Sequence, residues 1–203
     1  IPTMGGLMFI VGSSIGLLVA LPFLKEVVAD LDPMAPALLT LGVFTTIAFC
    51  AVGFLDDFIK VVKKQNLGLR EWTKLVMQSL IAISFLVTLH LMDRLSTLVQ
   101  LPFFGLVDFG IFFYPLSFLL IVGMVNAVNL TDGIDGLASF VTLWVMCGYF
   151  VLLMLFEKYH LSVWAAALAG GCVGFLFWNF HPAKVFMGDT GSMFLGGAVV
   201  CLG

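Results

Sequence analysis

The chain has 203 residues, of which 62% are hydrophobic and 10% charged, with a mean hydropathy of +1.16. An average soluble domain is roughly 45–50% apolar and about 25% charged, so one soluble core of this size has no room for so much apolar surface and the chain reads as an integral membrane protein. That excludes a secreted disulfide scaffold, a disordered regulator and a basic nucleic-acid binder, and the net charge of −3 matters less than where the few charges sit.

In chain order, apolar stretches able to cross a bilayer, which takes about 20 residues, run over 4–24, 36–55, 75–92, 111–130, 137–156 and 161–180, and a seventh begins at Met193. The runs are continuous rather than alternating, which excludes a β-barrel. The expected fold is all-α: a polytopic transmembrane helical bundle of six full spans plus one truncated span, forming a single integral-membrane domain over 1–203. The chain opens at Ile1-Pro2 and stops at Gly203 within an apolar run, so this domain is expected to be incomplete at both ends. Cys50, Cys147, Cys172 and Cys201 fall singly in apolar runs without a CxxC, as small membrane-buried side chains do.

Alternation of the spans defines two sides. Lys60, Lys63, Lys64, Arg70, Lys74 and Lys184 lie on side one, and Lys25, Arg94 and Lys158 on side two, which makes side one cytoplasmic. A cysteine at Gln65 is then shielded from an impermeant thiol reagent in intact cells, and one at Ser96 reactive. Glu26, Asp30, Asp32, Asp93, Asp108 and Glu157 are scattered through the side-two loops. Asp56, Asp57, Asp132, Asp135 and Asp189 instead fall at side-one ends of spans, each within a compact motif. Carboxylates at membrane depth are costly and mark functional sites by default.

The first motif is Phe54-Leu55-Asp56-Asp57, at the end of the second span. Adjacent carboxylates repel, and a helix points neighbours about 100° apart, so the two suit different tasks: one meets a metal or phosphate while the other pairs with a lysine such as Lys60 or Lys64. The second motif runs from Asn126 to Ala138, with Asn126, Asn129, Asp132 and Asp135 at steps of three and Gly133 and Gly136 among them. Such a step drifts by about −60° in an ideal helix, so the four share a face only where the glycines break the helix. Amides suit sugar or uracil edges, and carboxylates suit metals, ribose hydroxyls or ammonium groups. The third motif runs from His181 to Ser192. Asp189 is a hard oxygen ligand for Mg²⁺, Thr190, Gly191 and Ser192 offer N–H groups to phosphate at a helix start, and Phe186 is an aromatic platform. The structural alternative for this motif is a capped helix start with Asp189 or Ser192 as N-cap. His181, beside Pro182 at a helix exit, reads as structural, and His90 and His160 as interfacial. Together these features point to phosphoryl chemistry at a membrane face.

In that order, Pro2-Thr3-Met4-Gly5-Gly6, Leu55-Asp56-Asp57, the 126–138 segment and the 185–192 segment resemble the polyprenyl-phosphate N-acetylhexosamine-1-phosphate transferase superfamily, over the whole chain. Within it the resemblance is to the branch that uses UDP-MurNAc-pentapeptide. It implies a homodimer in the bacterial cell membrane with a cytoplasmic active face, about ten spans per subunit, Mg²⁺ as cofactor, and undecaprenyl phosphate as acceptor, with UMP released in the first membrane step of peptidoglycan synthesis. It further implies Asp56, Asp57 and Asp189 as catalytic residues with Asp189 on the metal. Thr3, Lys74, Asn126, Asn129, Asp132, Asp135 and Phe186 become substrate-binding residues, with Phe186 stacking on uracil and Lys60, Lys64 and Lys74 meeting phosphate. The lipid phosphate has its second pKa near ~6, so it is already mostly dianionic at neutral pH and direct attack barely needs a carboxylate base.

The nearest rival is a sister enzyme using UDP-GlcNAc. A CDP-alcohol phosphotransferase fails because Ser139 stands where its signature needs Arg. An ion-coupled transporter would spread its acids through the bilayer depth, and an intramembrane aspartyl protease would need a glycine where Phe186 stands.

Overall fold

The computed structural model describes residues 3–28, 33–64, 67–101 and 103–203. Pro2, Asp30, Asp32 and Gln65 lie outside the described residues, as do the side chains of Lys25 and Glu26. Among the described residues seven α-helices follow one another: α1 (Gly6–Val28), α2 (Ala35–Lys63), α3 (Glu71–Leu91), α4 (Phe113–Thr131), α5 (Leu137–Leu155), α6 (Tyr159–Asn179) and α7 (Gly188–Leu202). The first six are long and apolar enough to cross a membrane, so the chain is an all-helical, multi-pass membrane bundle. Between α3 and α4 a short antiparallel hairpin, β1 (Leu98–Leu101) with β2 (Gly105–Asp108), fills a loop that showed no strand signal in sequence. Asp108, one of the scattered acids, is used locally there, accepting from Thr97 Oγ1 at 2.6 Å and from the Gly110 N–H at 2.9 Å.

Several helix boundaries differ from the sequence expectation, among them the start of α3, which takes in Lys74, and two of them set the position of the acids. α2 does not end at the acidic pair but runs on to Lys63, so Asp56 and Asp57 lie inside a helix. α7 begins at Gly188 rather than Met193, which places Asp189 in its first turn. The cause is the same in both cases: hydropathy marks where lipid contact ends, whereas a helix continues wherever its polar residues find partners within the protein.

α7 is the axis of the bundle. It packs against α2, α4, α1 and α5, while α5 and α6 form a helical hairpin, α1 lies on α6, and α3 lies on α4 and α2. From Thr190 to Val199 every residue of α7 is buried. One part of the core joins Phe9 of α1, Trp164 and Phe175 of α6 and Phe194 of α7, with Phe9 edge-on to Phe175 at 5.3 Å between ring centroids. Another joins Phe49 and Val52 of α2, Ala82 of α3, Val125 of α4 and Met193 of α7. α2 approaches α7 backbone to backbone at Gly53, where any Cβ would collide with the Asp189 carbonyl. In hydrocarbon, where lipid is as apolar as the helices, such close small-residue contact supplies packing that burial alone does not. Its result is that α2 delivers Asp56 and Asp57 to the start of α7.

Candidate active site

The site is built where α2, α3, α4 and α7 meet. On α2, Asp56 and Lys60 are four residues apart and share a face, and Lys60 Nζ reaches Asp56 Oδ2 at 2.5 Å. Asp56 also accepts the Leu69 N–H at 2.8 Å from the loop into α3, and only a glycine fits at 68 against its carboxylate.

Asp57 does something else. The start of a helix leaves N–H groups without partners, and Met187, the residue before α7, offers no side-chain cap. Asp57 supplies the cap from α2: it accepts from the Asp189 N–H at 3.2 Å, the Thr190 N–H at 2.9 Å and Thr190 Oγ1 at 2.6 Å. A carboxylate there also complements the positive end of the helix dipole. Gly188 turns the chain into α7 with φ +70°, wedged between the Thr3 carbonyl and Asp57, so a side chain is refused on both conformational and steric grounds. The sequence expectation that the Thr190 N–H serves phosphate is thereby corrected, because that N–H is taken by Asp57. The alternative cap by Asp189 or Ser192 is corrected too: the cap comes from another helix.

Asp189 stands at the centre. Its Oδ2 receives Lys74 Nζ at 2.7 Å and Lys60 Nζ at 3.2 Å, and its Oδ1 receives Asn129 Nδ2 at 3.0 Å. Lys60 also lies 3.9 Å from Asp57, and Lys74 lies 3.7 Å from Asp56. The Asp189 side chain is 20% exposed against 2% for Asp56 and 6% for Asp57, so it is the carboxylate of the cluster that faces outward.

The donor set suits a hard divalent cation. Asp56, Asp57 and Asp189 each offer an oxygen within 4.8 Å of the others.

The other residues singled out in sequence separate into groups. α4 ends at Thr131 and α5 begins after Gly136 at φ +74°, so the helix breaks where the glycines predict. Even so, the four polar residues of that motif do not converge on one point. Asn129 joins Asp189 and also donates to Ser192 Oγ at 2.8 Å. Asn126 turns to Gln78 of α3. Asp135 accepts from the Ala183 N–H at 3.0 Å and lies 3.0 Å from His181 Nδ1, clasping the α4–α5 turn to the loop before α7. The Ala183 N–H and the His181 ring hold its carboxyl below the ordinary value. Phe186 is half-buried, with its carbonyl accepting from the Gly5 N–H at 2.9 Å. Thr3 is exposed beside Gly188. Lys64 is exposed and closes α2 in a left-handed conformation.

Asp132, half-buried just past α4, is pushed up to about 7 by burial and by the negative charges of Asp189 and Asp57. A raised carboxyl binds its proton more tightly in the fold, so its contribution to stability is present at low pH and lost as pH rises from about 4 to about 7. Asp132→Asn is therefore expected to raise the melting temperature in chelator by about 2–4 °C at pH 8 and by little at pH 5. Scanning calorimetry at the two pH values checks this.

Sequence reasoning missed two residues. Asn179, 1% exposed, accepts from the Gly136 N–H at 3.1 Å and donates to the Val185 carbonyl at 2.9 Å, joining the α4–α5 turn to the site loop. Gln78, 0% exposed, pairs with Asn126. Each is an isolated amide within or closing an apolar run, the same signal that singled out Asn126 and Asn129.

With this geometry in view, the comparison with known proteins is decisive. A family model described as glycosyl transferase family 4 matches residues 39–203. The chain belongs to glycosyl transferase family 4. It is 47% identical over 203 residues to the phospho-N-acetylmuramoyl-pentapeptide-transferase of Heliobacterium modesticaldum, covering 99% of this chain and 59% of that protein. Identity is 42% to the enzyme of that name from Desulforamulus reducens, over 98% of this chain and 58% of that protein. It is 44% to the one from Clostridioides difficile, over 98% and 59%. The family 4 chain thus spans about 59% of the length of such relatives, and the resemblance drawn from its motifs is borne out.

Proposed function

We propose that this family 4 protein transfers phospho-MurNAc-pentapeptide from UDP-MurNAc-pentapeptide to undecaprenyl phosphate and releases UMP, at the cytoplasmic face of a bacterial plasma membrane and as a homodimer. The observation that carries the reading is the single cluster in which the outward-facing Asp189 meets Lys60, Lys74 and Asn129 in front of Asp56 and Asp57. Phosphoryl transfer asks a protein mainly for positioning and charge neutralisation, and this cluster supplies both.

A dianionic lipid-phosphate oxygen attacks the sugar-side phosphorus; the new P–O bond forms as the bond to the UMP oxygen breaks. Lys60 and Lys74, held by carboxylates on either side, neutralise phosphate charge at the exposed edge of the cluster. Asp189 is the principal residue to hold Mg²⁺, with Asp56 and Asp57 behind it, and the ion supplies charge stabilisation to phosphoryl oxygens when bound. Asn129 and Asp57 keep Asp189 in place. Asp132 and Phe186, on the two segments that flank the cluster, serve the nucleotide sugar.

The test is a substrate swap in lipid vesicles. UDP-MurNAc-pentapeptide should label the lipid at least about a hundredfold faster than UDP-GlcNAc, since a site built to bind groups absent from the competitor discriminates by large factors. The reverse preference would overturn the reading in favour of the sister activity.

Orientation is a separate expectation. Lys63 and Ser96 are both exposed, at opposite ends of spans. With the native cysteines replaced, a cysteine at 63 should resist an impermeant maleimide in intact cells and one at 96 should react. The opposite pattern places the cluster outside the cell, away from UDP-sugars.

A further inference from the structure

One turn deeper in the bundle than the Asp189 cluster lies a second polar contact that the chemistry does not use. Asn126 Nδ2 donates to Gln78 Oε1 at 2.7 Å and to the Val122 carbonyl at 2.8 Å, and Gln78 Nε2 returns a bond to Asn126 Oδ1 at 3.3 Å. Gln78 is completely buried, with Met193 Sδ at 4.0 Å. Both donor hydrogens of Asn126 are thus committed inside the protein. A primary amide among apolar helices costs several kcal/mol unless paired, so these two groups hold each other rather than either surrounding surface.

Their positions give the pair its meaning. Gln78 is four residues from Lys74 on α3, and Asn126 is three residues from Asn129 on α4. Each therefore lies under a residue that touches Asp189. Slipping one helix by a single residue moves it about 1.5 Å along its axis and turns it about 100°, enough to take Lys74 or Asn129 off the carboxylate. We infer that Gln78 is a positioning residue: its reciprocal amide bond with Asn126 fixes the register of α3 against α4, so that Lys74 and Asn129 converge on Asp189.

The inference rests on the proposed transfer reaction for its kinetic readout, and a distance measurement tests it without that reaction. In the purified protein, Gln78→Leu leaves Asn126 only its bond to the Val122 carbonyl and should lower kcat by about tenfold or more, as small misplacements at a reacting centre do. KM for the nucleotide sugar should change by less than about threefold, because no substrate contact is removed. Exchanging the partners in Gln78→Asn/Asn126→Gln keeps both amides and the total side-chain length, and should recover kcat to within about threefold of wild type. Spin labels at the exposed Trp72 and Leu130, on α3 and α4, should give one narrow distance in the wild type and the exchanged pair, and a shifted or broadened one in Gln78→Leu.

Three results would overturn the inference: Gln78→Leu with wild-type kcat and distance, an exchanged pair as impaired as Gln78→Leu, or an Asn126→Leu variant whose KM rises with no change in distance, which would make Asn126 a direct ligand. Should the wild type prove inactive toward UDP-MurNAc-pentapeptide, the reaction assignment fails while the distances still decide the register claim.

Discussion

Replacing Asp189 by Asn is expected to lower transfer by about a thousandfold or more, which corresponds to about 4 kcal/mol of transition-state stabilisation. The substitution keeps the size of the side chain and an oxygen for Asn129, so the fold should survive. It removes the charge that two ammonium groups address and on which the proposed cation site rests: Lys74 at 2.7 Å and Lys60 at 3.2 Å lose their outer partner and fall back on Asp56 and Asp57. The loss should appear in kcat rather than in KM for the nucleotide sugar, because the interaction lost is strongest when charge is in flight. Binding of Mn²⁺, followed by its paramagnetic signal, should weaken in parallel. A variant with near-normal turnover would remove Asp189 from the chemistry.

Asp57→Asn should act by a different route. Asp57 gives its oxygens to the first turn of α7, and Asn presents one acceptor and an NH₂ group that faces other donors. Loss of a cap costs about 1–2 kcal/mol, so the melting temperature should fall by several degrees. Transfer should drop by about ten- to a hundredfold as Asp189, next to the loosened turn, moves off its partners. The pH profile separates this from base catalysis. A missing general base leaves a mutant whose rate climbs with pH, whereas a missing cap leaves the alkaline limb like that of wild type, with the loss partly recovered at raised Mg²⁺ or lipid concentration. Asp56→Asn should also lack the alkaline climb, and its stability should fall less, because Asp56 holds one loop N–H and Lys60 rather than a helix start.

Much of this arrangement was legible in the residues themselves. Continuous apolar runs located six spans, and the clustering of acids at one set of span ends pointed to the candidate site. Adjacency of Asp56 and Asp57 implied two tasks, and the two side chains do differ: one takes Lys60, the other the start of α7. What the sequence left open is contact between distant segments. Asp57 and Thr190 are far apart in the chain, and no local pattern says that α2 caps α7. The steps of three from Asn126 to Asp135 suggested one shared pocket, yet Asn126, Asn129 and Asp135 each follow a different partner: Gln78, Asp189 and the Ala183 N–H. Gln78 and Asn179 were overlooked because they stand alone, although an isolated amide in hydrocarbon is itself a sign of an internal partner.

The most direct test of the central claim, that the charged cluster carries out direct, cation-dependent transfer between a nucleotide sugar and a lipid phosphate, is UMP release by the purified protein in lipid vesicles. Release should require UDP-MurNAc-pentapeptide, undecaprenyl phosphate and Mg²⁺ together, stop in excess chelator, return when Mg²⁺ is restored, and match the lipid-linked sugar mole for mole. Release that continues unchanged in chelator, or exchange of labelled UMP into the UDP-sugar without lipid, would contradict it.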